Sequence, residues 1–361
     1  MKFYRIPLFG FAILPIVLYL GCTPYLLRAG WEEAHILLSR EPIARLLGSP
    51  SIDSSLKTKL SLVLEARELA EQLGLLPEKS FTYYSEIDRD VLVWVLNASA
   101  KTSFTPVTWW FPIVGNVPYK GFFDKQDALD AASHLKDQGY DTAVRPSAAF
   151  STLGWFNDPL LSTVIAFGEP ALVNTVIHEI VHNTFWFRNQ VPFNETLANV
   201  VGTNATAQFF SSRDPQVSAI VRAEWSDELR YAKFLRETQA KLAKLYGSVA
   251  CGDDQACRAR LLKERAQVYA TAVQEWEAET TQLKTIRYTK AASVMNNATI
   301  LAQLVYLDRP ERFQELLELQ QGSLTRFLES IREIHRRYES DGGDPYALLE
   351  EEIELWRPAI S

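Results

Sequence analysis

Two of the chain's five histidines stand four residues apart, with a glutamate directly after the first, in His178-Glu179-Ile180-Val181-His182. On a helix, positions i and i+4 share a face, so both imidazoles can reach one ion. Glu179 then projects beside that ion, placed to take a proton from a metal-activated water. Zinc suits the pattern, because it lowers the pKa of bound water towards about 7 and polarises a carbonyl. At average composition the pattern arises by accident in roughly one per cent of chains this long, so its surroundings decide. Between Ala171 and Trp186 the only charged residue is Glu179. A helix that is apolar nearly all round is a buried one. A carboxylate and two imidazoles are costly to bury unpartnered, and a metal ion is such a partner.

A third ligand must come from another element. Asn194-Glu195-Thr196-Leu197-Ala198-Asn199 begins twelve residues after His182. Glu195 is the natural third ligand, leaving a fourth position open for water. Its bland alternative is an acid favouring a helix N-terminus; behind a histidine pair at loop distance, the ligand reading is preferred. Asn199, one turn along, is placed to hydrogen-bond the other nitrogen of a ligand histidine. Ala198 and Gly202 are small and allow the two helices to approach closely.

Weaker candidates lie elsewhere. Tyr119 and Tyr306 can each donate to the oxyanion that forms when water attacks a carbonyl. Arg145 can do the same or hold a substrate carboxylate, and Asp158 or Asp124 can bind an α-amine. Each has a plain alternative as core aromatic, turn residue or structural ion pair. Trp155-Phe156 reads as core or pocket wall. His35, His134 and His335 fall on polar helical runs and read as solvated.

The first residues carry a different signal. Lys2 and Arg5 precede an uncharged run, Ile6 to Leu20, and Gly21-Cys22 follows. That is the layout of a secretory signal. The run contains Pro7 and Pro15 and is shorter than the roughly 20 residues of a spanning helix. Leu18-Tyr19-Leu20-Gly21-Cys22 resembles a bacterial lipobox, in which the Cys is lipidated; Tyr19 departs from the usual aliphatic residue. The expectation is a signal over 1–21, a lipid on Cys22, and a place in the cell envelope. Thr23, not Asp, favours the outer membrane, facing the periplasm. The alternative is an ordinary cleaved signal with an incidental Cys. Cys251 and Cys257 remain, and in an exported protein they can close a small disulfide or stay as free thiols.

These residues need a scaffold. With 47% hydrophobic and 22% charged residues the chain is of globular composition. A net charge of −7 without a basic cluster excludes nucleic acid as a partner. Leu56 to Leu73 shows helical spacing, whereas Val91 to Leu96, Val107 to Val114 and Thr142 to Phe150 are β-branched and aromatic runs that read as strands. Asp124 to Gln138, Leu172 to Trp186 and Phe193 to Phe210 read as helices, and from about 215 nearly everything is helical. The fold expected is mainly α (α+β). One zincin-like domain occupies 22–361, with a small sheet inserted over about 81–168 before the metal-site helices of about 171–210. A long helical region over about 215–357 follows.

The pair of histidines with a downstream glutamate resembles the gluzincins. Members of that group often carry Asp four residues after the glutamate; Asn199 can still accept a hydrogen bond but brings no charge. Four further stretches sharpen the resemblance: Phe111–Asp124 (FPIVGNVPYKGFFD), Ser151–Thr163 (STLGWFNDPLLST), Asn194–Asn199, and Met295-Asn296-Asn297-Ala298 with the helices after it. Together they are similar to a bacterial family named putative aminopeptidases, over essentially the whole chain. The resemblance implies a lipid-anchored zinc metallopeptidase acting on peptides with one zinc ion. Two other readings stand beside it: a zinc hydrolase of a non-peptide amide in the envelope, and a non-enzymatic envelope lipoprotein with a structural metal site. No protein partner can be inferred.

Overall fold

A computed structural model describes residues 28, 31, 32, 35–111, 115–147 and 159–357. Residues 1–21, Cys22, Asp158 and Trp155-Phe156 lie outside the described residues.

Local chemistry sets most of the helix boundaries. α1 (Ile43–Gly48) leads into α2 (Ser54–Gln72), which starts where the Asp53 side chain accepts from the amides of Ser55 and Leu56 at 2.8 and 3.3 Å. Such a cap satisfies amides that a helix start leaves orphaned. Leu60, Val63, Ala66 and Ala70 form its fully buried face. α3 (Lys125–Asp137) is capped likewise by Asp124, at 2.7 and 3.1 Å to the amides of Gln126 and Asp127. Asp124 is thereby spent on the helix start rather than on a substrate amine. After the single turn α4 (Ser162–Ile165) come α5 (Glu169–Thr184) and α6 (Val191–Ser211), each with proline in its first turn.

The helical remainder comprises α7 (Pro215–Gly247), α8 (Gln255–Glu279), α9 (Asn297–Leu304), α10 (Pro310–Leu319), α11 (Leu324–Asp341) and α12 (Pro345–Trp356). Cys251 and Cys257 are joined as a disulfide across the turn between α7 and α8. α9 opens on a capping box, in which Asn296 and Thr299 satisfy each other's backbone amides. The architecture is mainly α with small sheets.

Among the described residues the small β part expected before α5 is present as several short sheets. The strands divide into three small sheets: β1 (Glu41–Pro42), β2 (Tyr83–Ser85) and β8 (Leu160–Leu161); β3 (Val93–Ala100) between β6 (Lys120–Phe122) and β7 (Tyr140–Ser147); and β4 (Trp109–Phe111) with β5 (Gly115–Val117). β1 comes from outside the 81–168 range. Pro106 and Pro118 interrupt the ladders here, since proline cannot donate to one. In the middle sheet both pairings are antiparallel, and Arg145 of β7 lies opposite Val95 of β3.

Two apolar clusters hold these parts. The larger joins α2, α5, α6, α10, α11 and α12; the smaller is centred on Tyr231, Leu235, Tyr269, Trp276, Ile300 and Leu304, between α7, α8 and α9. The metal-site helices therefore sit inside the larger core, and β7 with α9 forms a separate wall.

Candidate metal centre

Packing brings α5 and α6 side by side. Leu172, Val173, Val176, Ile177, Ile180 and Val181 of α5 are fully buried, which leaves the histidine face to meet α6. Gly202 is where the helices come closest: a Cβ there would stand 3.1 Å from Asn174 Oδ1 and 3.2 Å from its carbonyl oxygen. Asn174 then donates to Thr203 Oγ1 at 3.0 Å across the same contact. The small residue needed for close approach is thus Gly202.

The connection between the helices is fixed by a residue that the sequence pattern did not single out. Asn194, 1% exposed, accepts from the Phe187 amide and donates to the Phe187 carbonyl, both at 2.8 Å. This two-way clasp sets where α6 begins and therefore which way Glu195 points. Thr196 accepts from the Asp308 amide at 3.0 Å, tying the same turn to the segment before α10.

Three side chains converge as a result. His178 Nε2 lies 3.2 Å from His182 Nε2 and 3.3 Å from Glu195 Oε2; His182 Nε2 lies 3.6 Å from Glu195 Oε1. Zinc ligands at about 2.0–2.1 Å from the metal stand roughly 3.3–3.4 Å from one another along the edges of a tetrahedron. The two imidazole nitrogens and the nearer carboxylate oxygen are at about that spacing, and one ligand atom from each of the three residues lies within 4.8 Å of the others. Among the described residues this is the one group of three such donors close enough to hold an ion. The donor set, two imidazole nitrogens and a carboxylate oxygen on rigid helices, fits zinc and leaves one face of the tetrahedron for water.

Electrostatics tie the group together. Burial works against charge on His178, but the hydrogen bond to Glu195 and the negative charges of Glu179 and Glu195 outweigh it and raise its pKa. Burial likewise opposes charge on Glu195, yet hydrogen bonds from His178 and His182 hold its carboxyl far below the usual range. The carboxylate is thus ionised and ready to act as a ligand. The Nδ1 atom of His182 is buried and has no hydrogen-bond partner among the described residues. Trp186 covers that ring edge-on at 5.8 Å.

Asn199 does not make the expected bond to a ligand histidine. Its amide donates instead to Glu228 Oε1 at 2.9 Å. The reason is α7, which packs on α6 and delivers the buried Glu228 to this position. A buried carboxylate costs more unpaired than an imidazole nitrogen does, so it takes the amide. A carboxylate therefore stands next to Asn199, one residue further from the ligands than where gluzincins often place an acid.

On the other side of the centre, β7 and the end of α9 bring two of the weaker candidates together. Arg145 Nη2 approaches the Tyr306 hydroxyl at 3.5 Å, and its guanidinium carbon lies 5.5 Å from the centre of the Tyr306 ring. Burial raises the Tyr306 pKa first, the negative charge of Glu195 raises it further, and Arg145 opposes both. Tyr119 follows the same order of causes, although 43% of its surface faces solvent. Both phenols thus lie within the field of Glu195 and of Arg145, and both stay protonated donors. Tyr119, Arg145 and Tyr306 converge on the metal-site side of the fold.

A family model described as "Putative aminopeptidase" matches residues 24–341. The chain belongs to this family. The matched range covers α5 and α6 with the three ligand candidates as well as β7 and α9. No curated protein matches the chain, and no solved structure does.

One of the histidines expected to be solvated is placed differently by the structure. His134 is exposed, beside Gln138 Nε2 at 2.9 Å, as expected. His335 is not solvated: it is half-buried, packs on Phe187 at 4.9 Å between ring centres, and lies 3.3 Å from the Trp186 carbonyl oxygen. α11 is amphipathic, and His335 falls at the edge of its apolar face, where the end of α5 covers it.

Proposed function

We propose that the chain is a zinc-dependent peptidase, with His178, His182 and Glu195 as ligands of one zinc ion and Glu179 as general base. The observation that carries this reading is the convergence of His178, His182 and Glu195, each offering one ligand atom within 4.8 Å of the other two, close enough to share one ion. A zinc ion held by these residues would supply activation of a water and polarisation of the scissile carbonyl. Glu179, on the same helix turn and close enough for its charge to act on His178, takes the water's proton and delivers it to the departing amine. Tyr306 and Tyr119, both held protonated, donate to the carbonyl oxygen as it gains charge. Family membership supports peptide as the substrate and aminopeptidase action as the form of hydrolysis.

Export and anchoring complete the proposal. The basic, apolar and Gly21-Cys22 segments support cleavage before Cys22 and a lipid on it, with the domain held at the outer membrane and facing the periplasm. The disulfide supports an oxidising compartment, since such bonds persist there. No helix among the described residues is long and apolar enough to cross a membrane. Mass spectrometry of the mature N-terminus tests this part, and an unmodified Cys22 rejects it.

The catalytic part is tested by metal analysis of purified protein together with Glu179→Gln. The expected result is one zinc per chain in both proteins and peptide hydrolysis in the wild type alone. A Glu179→Gln protein that cleaves peptides at the wild-type rate rules the mechanism out.

A further inference from the structure

Arg145 is an unusual cation in this molecule. Arg265, Arg89 and Arg312 are also sheltered, with side chains 12%, 26% and 24% exposed, and each pairs with a carboxylate: Asp141, Glu32, and Glu315 with Glu350. A sheltered guanidinium normally needs such a partner, because losing water without gaining an anion is costly. Arg145 has no carboxylate within ion-pair distance among the described residues. Its Nε is buried and makes no hydrogen bond, and among the described residues its one polar contact is the long approach to the Tyr306 hydroxyl at 3.5 Å. The Tyr306 ring gives a weak cation–π contact at 5.5 Å, which offsets only part of the lost hydration.

Position supplies the rest. Arg145 lies near the end of β7, held in register opposite Val95, so the guanidinium is placed by a strand rather than by a loop. Its guanidinium reaches the Tyr306 hydroxyl, and the charge of Glu195 acts on that phenol and on Tyr119, so Arg145 and Glu195 share these two neighbours. A planar guanidinium whose buried Nε–H has no partner, with Nη2 held only at 3.5 Å from a phenol, can take a carboxylate in two-pronged geometry.

We propose that Arg145 binds a carboxylate of the substrate, so that the centre selects peptides carrying a negative charge close to the scissile bond. This rests on the metallopeptidase reading for where the scissile bond sits. The carboxylate can be the free C-terminus of a short peptide or an acidic side chain, and the probes separate the two.

The test is calorimetric binding to the full, zinc-loaded chain carrying Glu179→Gln, which holds peptides without cleaving them. The probes are tri-alanine, tri-alanine amide and Ala-Asp-Ala amide. Tri-alanine should bind about 10- to 100-fold more tightly than its amide, the range for a charge-assisted hydrogen bond. Adding Arg145→Met should erase that difference, while Arg145→Lys should keep part of it, with zinc content unchanged in both. Tight binding of Ala-Asp-Ala amide assigns the carboxylate to a side chain; weak binding assigns it to the C-terminus. Equal affinity for all three probes, no binding of any probe, or a preference that survives Arg145→Met, overturns the proposal. The metallopeptidase reading fails on a different observation, namely wild-type protein that holds zinc and cleaves none of these peptides.

Discussion

Two buried polar clusters in this molecule differ in one respect, which separates structure from chemistry. Around Asn297, fully buried at the start of α9, every group is satisfied. Its side chain donates to the carbonyls of Ala100 and Ser103 at 2.8 and 3.1 Å and accepts from Tyr246 and Tyr269 at 2.9 and 2.6 Å. Its backbone amide reaches Asp141 at 2.9 Å, and Asp141 is ion-paired with Arg265. The cluster at α5 and α6 is less deeply sheltered, with side chains 12–17% exposed, and is not closed. Three potential ligand atoms face one another, and His182 Nδ1 has no partner among the described residues. Satisfied networks fix a fold, and polar groups left converging and unpaired mark a place where something else binds.

The sharpest way to break this contrast is to alter the open cluster without touching its packing. Glu179→Gln keeps the shape and removes the base, so kcat should fall by about 100- to 10,000-fold while zinc content and Tm stay at wild-type values. Paired metal analysis, thermal melts and steady-state rates check it. A large drop in Tm would mean that Glu179 belongs to the structural class after all.

The closed cluster should respond in the opposite sense. Asn297→Ala strands two phenols and two carbonyls in the interior, at a cost of about 3 kcal/mol. In a chain of this size that lowers Tm by about 4 °C. Zinc content of the folded protein should be unchanged, because Asn297 lies in the wall built by β3, β7, α8 and α9 and not on α5 or α6. Loss of zinc with no loss of stability would reverse the two assignments.

Removing the ion tests the contrast from the ligand side. Anything that binds only the native state stabilises it by mass action, about 2.7 kcal/mol when free metal is 100-fold above Kd. Chelation should therefore lower Tm, and added zinc should restore it in the wild type and in Asn297→Ala, but not in His182→Ala.

The sequence revealed these two clusters to different degrees, for physical reasons. The metal helix was legible because its chemistry is local: both histidines and Glu179 share one turn, and the apolar residues around them are contiguous. Glu195 was within reach because the connection is short. The helical region from about 215, which holds α7 and α8, was legible for the same reason. Long-range pairing was not legible. β1 pairs with β2 from more than forty residues away, and β8 joins them in parallel from further still. Arg145 and Tyr306 meet across 161 residues. Asn194 looked like a helix-start residue, and nothing in its neighbours announces that its amide clasps Phe187. Glu228 sits within a charged run and carries no local sign that α7 turns it inward towards Asn199.

That last pair gives the finest test. Asn199→Asp installs the acid common in gluzincins, yet here the new carboxylate would stand where the amide now meets Glu228 at 2.9 Å. Two carboxylates at that separation repel in a sheltered site, so stability should fall by about 1–2 kcal/mol rather than metal binding improve. Glu228→Gln alone should cost less, because a neutral amide still accepts from Asn199. The double variant Asn199→Asp with Glu228→Gln reverses the donor and acceptor roles and should recover most of the loss. Melts of the four proteins give the coupling directly, and strictly additive losses would show that α7 does not complete the support behind the metal-site helix.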